Sequence, residues 1–591
     1  MLEGGASHPL AAEGNGYFSG NVEVGAGALY RLSVDGAEPR PDPASRFQPS
    51  GPHGPSEVID PSAYAWHDAG WLGPVLERPV LYELHVGTFT PEGTWAAAGA
   101  KLSELADLGI SVIELMPVAA FPGRFGWGYD GVNAFAPTQL YGRPDDFRGF
   151  VDAAHGAGLG VILDVVYNHF GPDGCYLSEF SPHYFSERST EWGAALNFDG
   201  PESGPVREYF VANARHWIAE YHLDGLRLDA TQSFFDASEL HIVAEIVAAV
   251  RAAAVSGRRT LVIAENERQQ TDLLRSPERG GWGVDAAWND DFHHSARVAL
   301  THRSEAYYSD YRGTCQELIS ALRWGYLYQG QYSGWQRQQR GASGLDLDTR
   351  QFVIYLQNHD QVANSAAGSR LHDLTGPGLL RAMTALLLLA PAIPLLFQGQ
   401  EFAASAPFMF FADHRPQLSR TVAAGRREFL SQFPSIATSE VKRRLADPGA
   451  TETFRRCVLD HGERERNAPM LALHRDLIAL SRTPPFLQAR RATTEGAVLG
   501  PECLLLRFLA DDDSHHRLLI VNLGGDLRLA PLPEPLLAPP RDLRWALAWS
   551  SEEPRYGGLG APDTVASEPA WLIPGWAAVV LHPMPRPGAR T

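Results

Sequence analysis

From residue 80 onward the chain alternates short, nearly continuous apolar runs with longer stretches in which apolar residues recur at helical spacing. Eight runs stand out, at 80–89, 111–118, 161–168, 225–230, 260–265, 284–288, 352–358 and 393–399. A short apolar run without alternation is what a strand needs when both of its faces are covered. Helical patterns fill the gaps at 95–108, 147–157, 206–221, 238–254 and 377–389. In the last of these the apolar positions are too dense for one face, so the helix is predicted to be largely buried. Strand followed by helix, repeated eight times, is the pattern of a (β/α)₈ TIM barrel, a fold of ~250 residues that grows past ~400 with insertions.

The flanks read differently. Residues 17–24 and 29–34 alternate weakly around a Gly-rich turn and predict short strands, too few for a sandwich. Residues 40–62 are rich in Pro, Ser and Gly and read as a linker. Near the C-terminus, apolar runs at 504–509, 517–521, 545–549 and 577–581 lie between Pro, Gly and Asp turns and predict a β-sandwich. The expected division is a remnant of an N-terminal β-sandwich at 1–45, a linker at 46–79, the barrel at 80–484 and a C-terminal β-sandwich at 485–591.

Composition narrows the function. The formal net charge of the 591 residues is -19, and Lys101 and Lys442 are the only lysines. There is no basic arm, so a nucleic-acid partner is not expected. An acidic surface suits a neutral substrate such as a sugar. Cys175, Cys315, Cys457 and Cys503 have no CxxC spacing, which argues against a zinc site or disulfide framework and fits a reducing, cytoplasmic compartment. Residues 1–14 show no signal-peptide pattern. The longest apolar run, 383–397, is broken by Pro391 and Pro394 and falls short of the ~20 residues of a membrane span. Neither a membrane association nor a metal or cofactor is expected.

A barrel places its chemistry at the C-terminal ends of its strands. There the third strand delivers Asp164 and His169, the fourth Arg227 and Asp229, and the fifth Glu265. The sixth delivers Trp288, Asp291, His293 and His294, and the seventh His359, Asp360 and Gln361. A single strand-end Asp often does no more than cap the following helix. Several successive strands carrying ionisable groups beside Asn, His or Arg exceed what capping explains. Glycoside hydrolysis needs an acid to protonate the leaving oxygen and a carboxylate to attack the anomeric centre. Arg227 and Asp229, two apart on one strand, share a face, and the cation favours an ionised Asp229. Glu265 ends an apolar strand, a dry position that favours the protonated form. Asp360 is placed to accept hydrogen bonds from sugar hydroxyls. A separation of roughly 5–5.5 Å between Asp229 and Glu265 would make the mechanism retaining.

The blocks DVVYNH (164–169), GLRLDA (225–230), AEN (264–266) and NHD (358–360) together resemble, in order and spacing, the four signature regions of the α-amylase family of glycoside hydrolases. The resemblance implies Asp229 as nucleophile, Glu265 as acid/base and Asp360 as transition-state stabiliser. It implies Tyr129 as a stacking platform, with Asp164, His169, Arg227 and His359 around the same sugar. A narrower resemblance covers the chain from about residue 40 to its end. FPGRFGWGYDGV (121–132), WNDDFHH (288–294), LQNHDQVANSAAGSRL (356–371), APFMFFADH (406–414) and GRREF (425–429) are similar to the maltooligosyltrehalose trehalohydrolases. These hydrolyse the α-1,4 bond next to the terminal trehalose of maltooligosyltrehalose. The resemblance implies such α-glucans as substrates, a maltooligosyltrehalose synthase as pathway partner, and Asp130, Gln232, Trp288, Asp291, His293, His294, Gln361 and Asn364 as substrate contacts. Two departures stand out: only the last strands of the family's N-terminal sandwich are recognisable, and Gly399-Gln400-Glu401 replaces an expected Gly-Glu-Glu. The competing expectation is a glycogen-branching or debranching enzyme of the same superfamily, which would share the catalytic trio.

Overall fold

The computed structural model describes residues 1–14, 16–255, 257–531, 534–561 and 570–586. Residues 532–533, 562–569 and 587–591 of the segment expected over 485–591 therefore lie outside the described residues. Each of the eight apolar runs forms a barrel strand: β1 Leu81–Leu84, β2 Val112–Leu115, β3 Gly160–Val165, β4 Gly225–Leu228, β5 Leu261–Ala264, β6 Ala286–Trp288, β7 Phe352–Tyr355 and β8 Ile393–Phe397. Every strand pairs in parallel with its sequence neighbours, and β8 closes on β1 through Leu395↔Leu81 and Phe397↔Glu83. The ladders are shorter than the apolar runs, because the chain leaves the sheet at the mouth just where its polar residues begin.

Around the barrel lie α1 Trp95–Gly99, α2 Leu102–Leu108, α3 Pro144–Gly156, α4 Ser203–Tyr221, α5 Ile242–Ala253, α6 Asp290–Thr301, α7 Cys315–Trp324 and α8 Pro377–Leu389. The single helix predicted over 95–108 is two, broken after Gly99, the poorest helix former in that stretch. Helices α6 and α7 have no counterpart in the pattern reading. Helix α8 is buried continuously from Leu380 to Leu389, as its apolar density predicts.

Two-residue periodicity decides what fills the barrel. Leu81, Val112, Ile162, Leu261, Ile263, Val353, Ile393 and Leu395 point inward and form an apolar plug, each side chain contributing ~1.5–3 kcal/mol by burial. One layer nearer the C-terminal mouth, the same alternation brings Glu83 beside Glu114 and Asp164 beside Arg227. The lower barrel is thus hydrocarbon and the mouth is ionic.

The C-terminal region contains β9 Thr494–Gly500, β10 Cys503–Phe508, β11 Arg517–Asn522, β12 Leu527–Leu529, β13 Leu543–Ser550, β14 Trp571–Ile573 and β15 Ala577–Pro585. Five of these form an antiparallel sheet in the order β9-β10-β11-β15-β13, and β12 pairs with β14. Leu504, Leu506, Leu519, Val521 and Val580 turn one face of the larger sheet into the main core. Leu505, Leu518, Ile520, Val579 and Leu581 turn the other face against Trp571, Ile573 and Leu529 of the small pair.

At the N-terminus, Ala11–Gly14 pairs with Tyr17–Ser19, and Leu29–Tyr30 pairs with Ser56–Glu57. The stretch read as a linker is packed down on the barrel: Trp66 stacks on His222 at 3.7 Å, and Trp71 Nε1 donates to Asp224 at 2.7 Å. Among the described residues, no helix is long and apolar enough to cross a membrane.

Candidate active site

Arg227 organises the mouth. It points inward from β4 and is fully buried. Its Nη1 donates to Asp164 Oδ2 at 2.7 Å and to Asp229 Oδ1 at 2.8 Å, and its Nη2 donates to Glu265 Oε2 at 2.7 Å. The guanidinium lies 4.2 Å from the centre of the Trp288 ring, a cation–π support that leaves its edges free for carboxylates. Asp229 and Glu265 are the first residues beyond β4 and β5, so both leave the sheet at the same rim. The turn after Asp229 is fastened to the end of β5: the Ala230 amide donates to Glu265 Oε2 at 3.0 Å, and Thr231 Oγ1 donates to the Glu265 carbonyl at 2.6 Å. Ala230 holds φ +43° to do so, a left-handed conformation that costs an alanine of order 1 kcal/mol.

One cation among three carboxylates does not neutralise them. Burial pushes Glu265 up to about 7; Arg227 pulls it down, while Asp229 and Asp360 push it further up. Burial also raises Asp229, against the opposing pull of Arg227 and of Asn168, whose Nδ2 donates to Asp229 Oδ2 at 2.7 Å. Arg227 therefore moderates the cost of the Asp229 charge without cancelling it. Glu265 is placed to hold a proton near neutrality beside a carboxylate that shares its guanidinium.

The opposite wall is set by strand one. Glu83 Oε1 accepts from His359 Nδ1 at 2.5 Å, and Oε2 accepts from the His359 backbone amide at 3.0 Å. Burial alone would strip the proton from His359, but Glu83, and after it Asp360, hold the imidazolium and lift it to about 9. Its Nε2 lies 3.6 Å from Asp360 Oδ2, and the Asp360 side chain is 43% exposed, the most open of the three carboxylates. Tyr129 stacks on His359 with ring centres 5.1 Å apart and donates its hydroxyl to Asp164 Oδ2 at 2.5 Å. That platform requires the glycine before it: at Gly128, φ +98°, a Cβ would lie 1.9 Å from the Pro117 carbonyl oxygen. His169 donates from Nδ1 to Asn168 Oδ1, and burial takes it down to about 4, so it stands neutral.

The remaining expected contacts divide. Asp130 faces His414 Nε2 at 3.3 Å. Gln232 accepts from the Glu267 amide at 3.2 Å. Gln361 accepts from the hydroxyls of Tyr307 and Tyr308, and Asn364 Nδ2 donates to Tyr307 at 3.3 Å. Asp291 is a correction. It is fully buried, with Oδ1 accepting from Tyr311 at 2.5 Å and Oδ2 from the Leu327 amide at 2.6 Å, and Arg340 lies 3.4 Å away. It holds a loop and presents nothing to a ligand. His293 and His294 are likewise buried, the first stacked on Tyr355 and the second walled by Tyr307, Tyr308 and Tyr311. Trp288 is also corrected: its ring is covered by Arg227 and is 3% exposed, so it supports the cation instead of stacking on sugar.

Three residues of the site escaped the sequence reading. Glu83 and Glu114 are inward charges within apolar strands, and that placement was the available signal. Asn168 stands inside the DVVYNH block, where no role was assigned to it. Glu114 is buried with neither carboxylate oxygen hydrogen-bonded, and burial, with Glu83 beside it, drives it well above the carboxylate range, so it is a neutral acid. Among the described residues, no group of three or more His, Cys, Asp or Glu side chains is placed to hold a metal ion.

A closed parallel barrel with paired carboxylates bridged by a buried arginine at its C-terminal mouth is the architecture of an α-amylase-type glycoside hydrolase. The comparisons agree. Residues 45–192 match the α-amylase catalytic-domain family, and residues 491–580 match DUF3459, a domain of unknown function. The chain is 43% identical over 545 residues to the malto-oligosyltrehalose trehalohydrolase of Deinococcus radiodurans, covering 91% of this chain and 88% of that one. It is 41% identical to the enzyme of the same name from Arthrobacter ramosus, covering 82% and 84%. An α-amylase candidate of Salmonella typhimurium superposes with a TM-score of 0.85 at 36% identity, over 97% of this chain and 94% of that one. The likeness to a glucan-branching enzyme of Streptomyces avermitilis, at 38% identity, spans 32% of this chain and 24% of that one. The chain belongs to the malto-oligosyltrehalose trehalohydrolases, within the α-amylase family of glycoside hydrolases.

Proposed function

We propose that this glycoside hydrolase cuts the α-1,4-glucosidic bond adjacent to the terminal trehalose of maltooligosyltrehalose and releases trehalose. Glu265, carrying a proton, donates it to the leaving oxygen. Asp229 attacks the anomeric carbon to form a covalent glycosyl-enzyme, and Glu265, now the base, activates the water that frees the glucan. Asp360, with the His359 imidazolium behind it, accepts hydrogen bonds from the reacting sugar as it distorts, and Tyr129 supplies the ring platform. The observation that carries the mechanism is the single guanidinium shared by Asp229 and Glu265. A bridge that short fits the ~5–5.5 Å separation of a retaining pair better than the ~6.5–9.5 Å of an inverting one. The substrate rests on the names of relatives that match most of the chain.

The proposal extends to the setting. Buried Cys315, Cys457 and Cys503 are free thiols, in keeping with a cytoplasmic enzyme, and its substrate would come from a synthase that converts the reducing end of a maltooligosaccharide into trehalose. The deciding experiment incubates the protein with maltopentaosyl-trehalose, linear maltoheptaose and glycogen in parallel. Trehalose release faster than cleavage of the other two is expected; faster turnover of either competitor would overturn the reading in favour of a branching or debranching enzyme.

A further inference from the structure

The GRREF block, 425–429, lies near the end of helix α9 Pro416–Leu430, which follows β8. Its adjacent arginines have different surroundings: Arg427 is exposed and Arg426 is half-buried. The helix end is anchored by apolar packing, since Leu430 and Phe433 share a cluster with Val298 of α6 and with Tyr308. That anchor fixes where the inward arginine can reach.

Arg426 Nη2 donates to the Ala363 carbonyl at 2.8 Å. The guanidinium carbon lies 5.5 Å from the centre of the Phe410 ring and 5.2 Å from that of Phe429, both cation–π distances. Phe410 meets Trp127 edge-on at 5.1 Å, and Trp127 meets His359 edge-on at 5.2 Å. Among the described residues, the Ala363 carbonyl is the one hydrogen-bond acceptor of a side chain that carries five N–H donors. Burial pulls the guanidinium down to about 10, and the Asp360 carboxylate opposes that pull more than any other group does. A cation so sparsely hydrogen-bonded among aromatic rings is costly unless an opposite charge compensates. Asp360 is that charge.

The backbone contact matters as much as the charge. Asp360 stands in the first turn of the short helix His359–Ala363. Its near end is fixed twice: Glu83 takes the His359 amide and ring, and Asn358 Oδ1 accepts from the Gln361 amide at 2.8 Å. The far end is the Ala363 carbonyl, one of the helix-terminal acceptors that need a partner from outside, and Arg426 supplies it. A helix this short has too few internal bonds to hold its own direction. We propose that Arg426 is a positioning residue for Asp360: it clamps the far end of the turn that carries Asp360 and sets a second cation, beside the His359 imidazolium, against its carboxylate. The inference rests on the role given to Asp360 above and adds to it a residue from outside the eight strand ends.

The test is a double-mutant cycle on trehalose release from maltopentaosyl-trehalose, with Arg426→Met, Asp360→Asn and the two combined. Methionine keeps an unbranched stem against the two rings. Arg426→Met alone should lower kcat by about 10- to 100-fold, the scale of loss when a reacting group is displaced by about an ångström. KM should hardly move, and Arg426→Lys should recover part of the loss. Combined with Asp360→Asn, Arg426→Met should cost nothing further, because the group it positions is already gone. Arg427→Met, which removes the neighbouring charge, should match wild type. The inference fails if kcat survives Arg426→Met, if KM rises while kcat holds, or if the loss is as large in the Asp360→Asn background. It fails too if Arg427→Met does equal damage. Should Arg426→Met not fold, the cycle is run with Arg426→Lys, whose smaller loss should likewise vanish beside Asp360→Asn. An Asp360→Asn variant that keeps the wild-type kcat overturns the role of Asp360 and this inference with it, in an arm of its own.

Discussion

Glu83 on the first barrel strand holds His359, just beyond the seventh, by both its ring and its backbone amide, at 2.5 and 3.0 Å. The contact spans 276 residues of sequence and sets a charge on the wall of the site. The folded imidazole titrates at about 9, whereas an unfolded one titrates near ~6.5. The pair's stabilisation is therefore complete below ~6.5 and is lost as pH rises through about 9. Glu83→Gln removes one partner of a buried ion pair, a change that costs about 3–5 kcal/mol. Thermal unfolding at pH 6 should show a marked loss in the variant, and the gap from wild type should narrow toward pH 10. An equal gap at both pH values would place the stabilisation elsewhere.

Glu265 gives a pH signature to catalysis. As the acid it must carry its proton, and its value of about 7 places the fall of kcat/KM on the alkaline side near that pH. Glu265→Gln keeps the shape and most hydrogen bonds but cannot donate a proton. Turnover should drop about 10²- to 10⁴-fold, the usual share of general acid–base catalysis, and the residual activity should lose its alkaline limb. Far-ultraviolet circular dichroism should match wild type. A variant that retains the limb would assign the proton to another group.

Asp291 should behave as a structural residue. Its carboxylate joins Tyr311, Arg340 and the 327–328 amides in a fully buried network. Asp291→Ala leaves Arg340 without that buried partner and should cost about 3–5 kcal/mol in urea unfolding. Measured per folded molecule, KM should move less than threefold. A large rise in KM with unchanged stability would return Asp291 to the sugar.

The barrel was legible because its strands are buried on both faces and so write themselves as unbroken apolar runs; the chain turns polar where it leaves the sheet, at Asp229, Glu265 and Asn358. The partners of those polar residues were not legible. Glu83 and His359 meet only because strands one and seven face one barrel interior, and no local pattern encodes that. Asp291 and Trp288 were misread for a related reason: a motif fixes which residues stand near the mouth, but helix α6 decides which way Asp291 turns, and at the end of β6 the Arg227 guanidinium covers the Trp288 ring. The break between α1 and α2, and the packing of the N-terminal stretch onto Asp224 and His222, likewise depend on contacts remote in sequence.

The docking of the C-terminal sheet supplies the last prediction. Arg381 on α8 donates from Nη2 to both carboxylate oxygens of Glu552, each at 2.8 Å, and from Nε to the Ser551 carbonyl at 3.1 Å. Both side chains are about nine-tenths buried. The pair sits where α8, apolar on every side, is covered on one side by strands β11 and β15, so it fixes the register of an otherwise featureless hydrocarbon interface. Glu552→Ala leaves a buried guanidinium without its carboxylate and should cost about 3–5 kcal/mol. Arg381→Met with Glu552→Leu removes both charges and should recover most of that loss, because hydrocarbon replaces hydrocarbon-lined charge. Urea unfolding followed by tryptophan fluorescence, with Trp549 and Trp545 in the sheet as reporters, measures both variants. If the double variant is no better than the single one, the interface depends on the hydrogen bonds themselves and not on avoiding a lone charge.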